Sequence, residues 1–123
     1  MTIAAALVDK GWDCIFASSQ ETFNFLPALQ TSRYQLFPLD CAENEEGNYI
    51  SNQLLNGCGL LFVDHYDLGH DFEHRGRTWA ERIVAIDDLA NRQHDCDILI
   101  DQTLGRVARD YEPLVSSDCE LLL

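Results

Sequence analysis

Asp64, His65, Tyr66 and Asp67 stand in a row at the end of an apolar run. A carboxylate, an imidazole and a phenol placed where a strand gives way to a loop can converge on one crevice and act there on a ligand. Asp64 could equally cap a following helix, with Tyr66 packed half-buried. Asp87 and Asp88 close the next apolar run; adjacent strand-end carboxylates can hold a divalent cation or accept hydrogen bonds from sugar hydroxyls, and they can also be a helix cap beside a solvated acid. His70 and His74 share a helix face at i and i+4, but the intervening Glu73 sits beside the second histidine, so the H-E-x-x-H zinc pattern is not met. With no third ligand at a useful spacing, that pair reads as a solvated face. His94 and Cys96 lie two residues apart, a spacing that does not bring a thiol and an imidazole together unless the backbone turns.

The elements that must position these groups are three apolar runs ending on acid: Leu60 to Asp64, Ile83 to Asp87 and Ile98 to Asp101. Each is short, rich in Ile, Leu and Val, and does not alternate with polar residues, which is how a strand buried on both faces of a parallel sheet reads. Leu68 to Glu81 is polar and long enough for a helical crossover between the first two. Ligands of open α/β sheets bind outside the carboxyl ends of the strands, where the three acids fall. The expected class is therefore α/β with a Rossmann-like parallel sheet.

Earlier in the chain, the alanine-rich stretch Thr2 to Lys10 favours a helix that stops at Gly11. Trp12 to Ala17 predicts a strand, followed by a helix capped by Ser18 or Ser19 and reaching about Leu29. Tyr34 to Leu39 predicts a second strand, with Pro38 marking an edge or an end. Asp40 to Asn48 reads as a solvated loop, and Tyr49 to Leu55 as a helix stopped by Asn56-Gly57. Asp87 to Arg92 predicts a loop with a helical turn, Gly105 to Pro113 a brief helix, and Leu121 to Leu123 a strand. An α/β chain ordinarily begins with a strand, so this order reads as a domain missing something at both ends.

The composition narrows the partners. A chain of 123 residues with 46% hydrophobic and 24% charged residues is one globular domain by size. No apolar run approaches the roughly 20 residues of a membrane helix, and the N-terminus has no basic region or cleavage site of a secretory signal. A net charge of −13 repels phosphate backbones and anionic lipid, which argues against nucleic acid and membrane as partners. The five cysteines are odd in number and widely spaced without a C-x-x-C pair, which fits a reducing cytoplasm better than a disulfide framework. Serine hydrolases, P-loop NTPases and standard dinucleotide binders lack their G-x-S-x-G, lysine-loop and G-x-G-x-x-G motifs here. A receiver-type domain binding magnesium at Asp64 or Asp87-Asp88 lacks a downstream lysine, since Lys10 is the only one.

The combination Val63-Asp64-His65-Tyr66, then Ile86-Asp87-Asp88-Leu89-Ala90-Asn91-Arg92, then His94-Asp95-Cys96-Asp97-Ile98-Leu99-Ile100-Asp101-Gln102 resembles the enzymes of pseudaminic acid biosynthesis that release UDP from UDP-2,4-diacetamido-2,4,6-trideoxy-β-L-altropyranose. Tyr111-Glu112-Pro113-Leu114 and Cys119 to Leu123 resemble the end of that family's N-terminal half. The resemblance implies a glycosyltransferase-B-like fold of two Rossmann-type domains, of which this chain would be a partial first domain lacking its first strand and the C-terminal nucleotide-binding domain. It implies inverting, metal-independent hydrolysis at the anomeric carbon, with no cofactor. Tyr66 carries over as the active-site residue; Asp64, Asp87, Asp88, Arg92 and His94 match the pattern as substrate-binding candidates. The family's G-H-x-x-R loop, with its catalytic histidine, does not occur here. The implied partners are a UDP-sugar and a separate chain carrying the missing parts; the alternative is a non-catalytic binding domain of the same fold. Without a central first strand, the strands at Trp12 and Leu60 would each expose an unpaired edge, so restoring that strand is expected to raise thermal stability.

Overall fold

The computed structural model describes residues 2–30 and 33–123. The chain forms two compact units, Met1–Gln53 and Leu54–Leu123.

In the first unit, helix α1 (Thr2–Asp9) leads through a turn at Gly11, whose φ of 89° is the left-handed value expected of a helix-stopping glycine, to strand β1 (Ile15–Ser18). Ser19 caps helix α2 (Gln20–Phe25), its hydroxyl accepting the Thr22 N–H at 3.1 Å. That helix is shorter than the sequence suggests: Pro27 ends it, and the chain passes into a 3-10 turn at Pro27–Leu29. Strand β2 (Gln35–Pro38) then pairs in parallel with β1. Helix α3 (Glu46–Gln53) starts earlier than its apolar residues indicate, continuing from a 3-10 turn at Glu43–Glu45 within the expected acidic loop. The interior is small, with Phe23, Leu29 and Ile50 buried.

The second unit holds the three acid-ended runs. Strand β3 (Cys58–Asp64), helix α4 (His70–Gly76), and strands β4 (Ala80–Ile86), β5 (Ile98–Ile100) and β6 (Glu120–Leu122) form an all-parallel sheet in the order β3-β4-β5-β6. The α/β class is as the sequence indicates, and the register places the ends of the strands side by side: Asp64 pairs with Ile86, and Ile86 with Ile100. Val63, Ile83, Val84, Ala85 and Leu99 form the buried centre, and Phe72 of α4 is buried as well. Gly76 lets α4 approach closely, since a Cβ there would lie 2.9 Å from Leu61 Cδ2. At the start of β3 only glycine fits position 57, with φ 69° and the Trp79 carbonyl oxygen 2.2 Å from where a Cβ would be. The crossover helix is half the expected length, because Leu68 and Gly69 remain in the loop and residues after Gly76 turn into β4. No helix among the described residues is long and apolar enough to cross a membrane.

Candidate functional site

A cavity of about 480 Å³ opens at the carboxyl ends of β3, β4 and β5. Asp64, His65, Tyr66 and Asp67 supply one wall as the chain leaves β3. Ile86, Asp87, Asp88 and Arg92 form the floor, and Gln102 and Thr103 the far wall. Five of the six residues singled out from the sequence thus meet at one place; His94 lies behind the floor, buried.

The three strand-end acids have different fates. Asp64 is exposed at the cavity mouth, whereas Asp87 and Asp101 turn inward, 3% and 2% exposed. A carboxylate taken out of water must be paired and hydrogen-bonded, and both are. Asp87 accepts from Arg92 Nη1 at 2.6 Å, from the Ala90 N–H at 2.9 Å and from the Tyr111 hydroxyl at 3.0 Å. Burial alone would raise its pKa; the Ala90 N–H, the Tyr111 hydroxyl, Arg92 and His94 outweigh that and hold the carboxyl below its ordinary range. Asp101 accepts from the Thr103 N–H at 2.7 Å, the Tyr111 hydroxyl at 2.7 Å and Arg106 Nε. Against the opposing effect of burial, these bonds depress it to about 2.

Asp87 and Arg92 therefore act as a clamp. The Asp87 carboxylate holds Ala90 in the left-handed region, φ 49°, the one non-glycine residue so placed among those described. Arg92 donates to Asp87, to the His65 carbonyl at 2.7 Å and to the Leu68 carbonyl at 3.0 Å, tying the loop after β3 to the turn after β4. Its planar fork suits three acceptors at once, a role lysine could not fill. Arg106 does the same on the other side, bonding the Asp88 carbonyl at 2.6 Å as well as Asp101.

With Asp87 and Arg92 engaged to each other, the groups that face the opening are Asp64, Asp67 and Asp88 as acceptors, with Tyr66, 67% exposed, and His65. His65 Nδ1 accepts the N–H groups of Asp67 at 3.1 Å and Leu68 at 3.3 Å. That assigns the ring proton to Nε2 and leaves an N–H donor on the loop. The cavity can thus offer several carboxylate acceptors, an imidazole and a phenol to one ligand. Its surplus of negative charge suits a hydroxyl-rich neutral group and opposes an anion.

The remaining clusters separate from the cavity. His70 and His74 stack 5.7 Å apart on the exposed face of α4, and His74 turns to Asp95 at 2.8 Å, as expected of a solvated face. His94 and Cys96 do not pair: His94 Nδ1 meets Glu73 at 2.7 Å, while Cys96 Sγ lies 3.6 Å from Cys119 Sγ, with burial first and then the neighbouring thiol pushing the Cys96 pKa far up. Sequence reasoning missed Glu73, Tyr111 and Arg106 as parts of the site's support. The signal for Arg106 was its spacing, five residues after a strand-end acid, the same as Arg92 after Asp87. Tyr111 and Glu73 gave none, because burial of a polar group inside a polar run has no periodic signature.

No protein-family model matches the chain, and no curated protein matches it either.

Proposed function

We propose that this chain carries the sugar-facing part of a nucleotide-sugar hydrolase acting on UDP-2,4-diacetamido-2,4,6-trideoxy-β-L-altropyranose, and that by itself it binds rather than turns over. The observation that supports this reading most is that Asp64, Tyr66, Asp87, Asp88 and Arg92 line a single cavity at the carboxyl ends of adjacent parallel strands. In the intact reaction water attacks the anomeric carbon with inversion and the C–O bond to UDP breaks. Departure of the diphosphate needs positive or N–H-rich surroundings, which this acidic cavity does not supply. Its chemistry suits the sugar: Asp64 and Asp88 can accept from amide N–H and hydroxyl groups, and Tyr66 can hold a hydroxyl or the attacking water. Asp87, Arg92 and His94 belong to the scaffold that sets this geometry. The diphosphate site and a catalytic histidine would come from elsewhere, on a separate chain or further sequence. The five widely spaced cysteines support a reducing, cytoplasmic setting.

A non-catalytic binding domain is the second reading, favoured by the commitment of Asp87 and Arg92 to each other. One titration tests what the cavity takes and whether the chain turns it over. The UDP-sugar should shift the amide signals of Asp64, Tyr66 and Asp88, UDP alone should leave them in place, and no UDP should be released. Release of UDP by the chain alone would overturn the claim that it only binds. Failure of the UDP-sugar to shift these signals would remove the sugar reading, and a shift by UDP alone would place the diphosphate here instead.

A further inference from the structure

Glu73 is fully buried on α4, a helix whose other charged residues face solvent. Both of its carboxylate oxygens are committed: Oε2 accepts the Asp95 N–H at 2.6 Å, and Oε1 lies 2.7 Å from Nδ1 of His94. A carboxylate that only accepts requires a donor, so Nδ1 carries a proton. On the other side of the ring Nε2 is buried, has no hydrogen-bond partner, and faces Asp87 Oδ2 across 3.8 Å. A bare lone pair there would be a desolvated acceptor aimed at an anion, while an N–H would be attracted to it.

The charge count agrees. Three buried carboxylates, Glu73, Asp87 and Asp101, are met by two guanidinium groups, Arg92 and Arg106. One negative charge is left over, and His94 is the base in contact with two of the three acids. We infer that His94 is the third cation of this buried network, an imidazolium held between Glu73 and Asp87, and that it acts as a positioning residue: through Asp87 it fixes the turn that carries Asp88 into the cavity. It need not touch a ligand, so the inference is independent of which ligand the cavity takes.

The groups facing the ring are Glu73 from α4 and Asp87 from the end of β4, whose Oδ1 takes Arg92 and whose Oδ2 also takes the Tyr111 hydroxyl and the Ala90 N–H. Asp95 is turned away to His74 and Arg77. The Cys96 and Cys119 thiols, near Glu73, have pKa values raised first by burial and stay neutral.

The experiment is a long-range nitrogen–proton correlation spectrum of the histidine rings in the full chain as pH rises. At about pH 8, where a solvent-exposed imidazole has lost its charge, His94 should show two protonated ring nitrogens. A single protonated nitrogen on His94 at that pH would overturn the inference. The amide signals of Asp88 and Ala90 should move with the same midpoint as the His94 ring; flat amides would reduce His94 to a passive core residue. Glu73→Gln and Asp87→Asn should each lower the His94 midpoint, by removing one facing anion. Should one variant fail to fold, the other reads the same quantity, and the unsubstituted chain needs neither. An unmoved midpoint in a folded variant would count against the pairing.

Discussion

Tyr111 donates its hydroxyl to Asp101 over 2.7 Å from a fully buried position, and the same oxygen lies 3.0 Å from Asp87 Oδ2. One phenol thus joins the ends of β4 and β5 from a turn ten residues beyond the second acid. Burial first, and then the two carboxylates, push its pKa far up, so it remains a donor at every physiological pH.

Tyr111→Phe keeps the ring and removes that donor from two buried carboxylates. It should cost about 2 kcal/mol, the usual range for a hydrogen bond to a charged group. Urea unfolding of the variant against the parent measures this directly, and a loss below about 0.5 kcal/mol would show that the hydroxyl bridge is energetically idle.

Arg92→Ala should be harsher, because it takes from the Asp87 carboxylate, 1% exposed in its side chain, the cation hydrogen-bonded to it. Unpairing a buried charge typically costs about 3–5 kcal/mol, enough to unfold a small domain. Arg92→Lys can keep the ion pair but not the bonds to the His65 and Leu68 carbonyls. It should retain more stability while shifting the amide signals of residues 65–68. Equal stability of the two variants would mean that charge contributes nothing there.

Acid should attack this end of the sheet late. Asp101 sits at about 2 when folded against an ordinary 3.8, a depressed value. Its contribution is therefore fully present above about pH 4 and lost as pH falls through about 2; the shift corresponds to roughly 2 kcal/mol. Asp101→Asn should flatten that part of the stability profile, and an unchanged slope between pH 4 and 2 would refute the assignment.

The two units should differ in local stability. Phe23, Leu29 and Ile50 are the buried apolar residues of the first, while the second buries Val63, Phe72, Ile83, Val84, Ala85 and Leu99 among others. Hydrogen exchange at Phe16 and Leu36 should be faster by orders of magnitude than at Val84 and Leu99, which tracks the smaller opening energy of a thin core. Uniform protection across both would show that they open together.

Much of this arrangement was legible because apolar continuity is a strong local signal. Leu60 to Val63, Ile83 to Ile86 and Ile98 to Ile100 read as parallel strands and are, although in β3 only Val63 is buried and Leu60 to Phe62 are half-buried; strand ends in such sheets face the ligand side. Helix limits were less legible. α2 stops short of Leu29 at Pro27, and α4 contracts to His70–Gly76, with Gly69 as its N-cap and the His70 N–H donating to the Gln93 carbonyl. The inward turn of Asp87 and Asp101 was hidden for a different reason. Sequence reports that an acid follows a strand, but its direction is decided by distant partners, Tyr111 and the arginines five residues on. His94 drew notice by its motif, yet only its contact with Glu73 places it behind the cavity.

The inward-facing ion pairs also bear on how the molecule meets dissolved salt. Asp87 with Arg92 and Asp101 with Arg106 have acid side chains exposed by 1% and 0%, out of reach of mobile ions, whereas the Arg33–Asp9 pair is open to them. The chain as a whole carries −13, and counter-ions that gather around it relieve the mutual repulsion of its surface acids. Brine should therefore strengthen the fold while leaving the joints beneath the cavity untouched, a behaviour more familiar from proteins of saline habitats than from those held together by ion pairs on their surface.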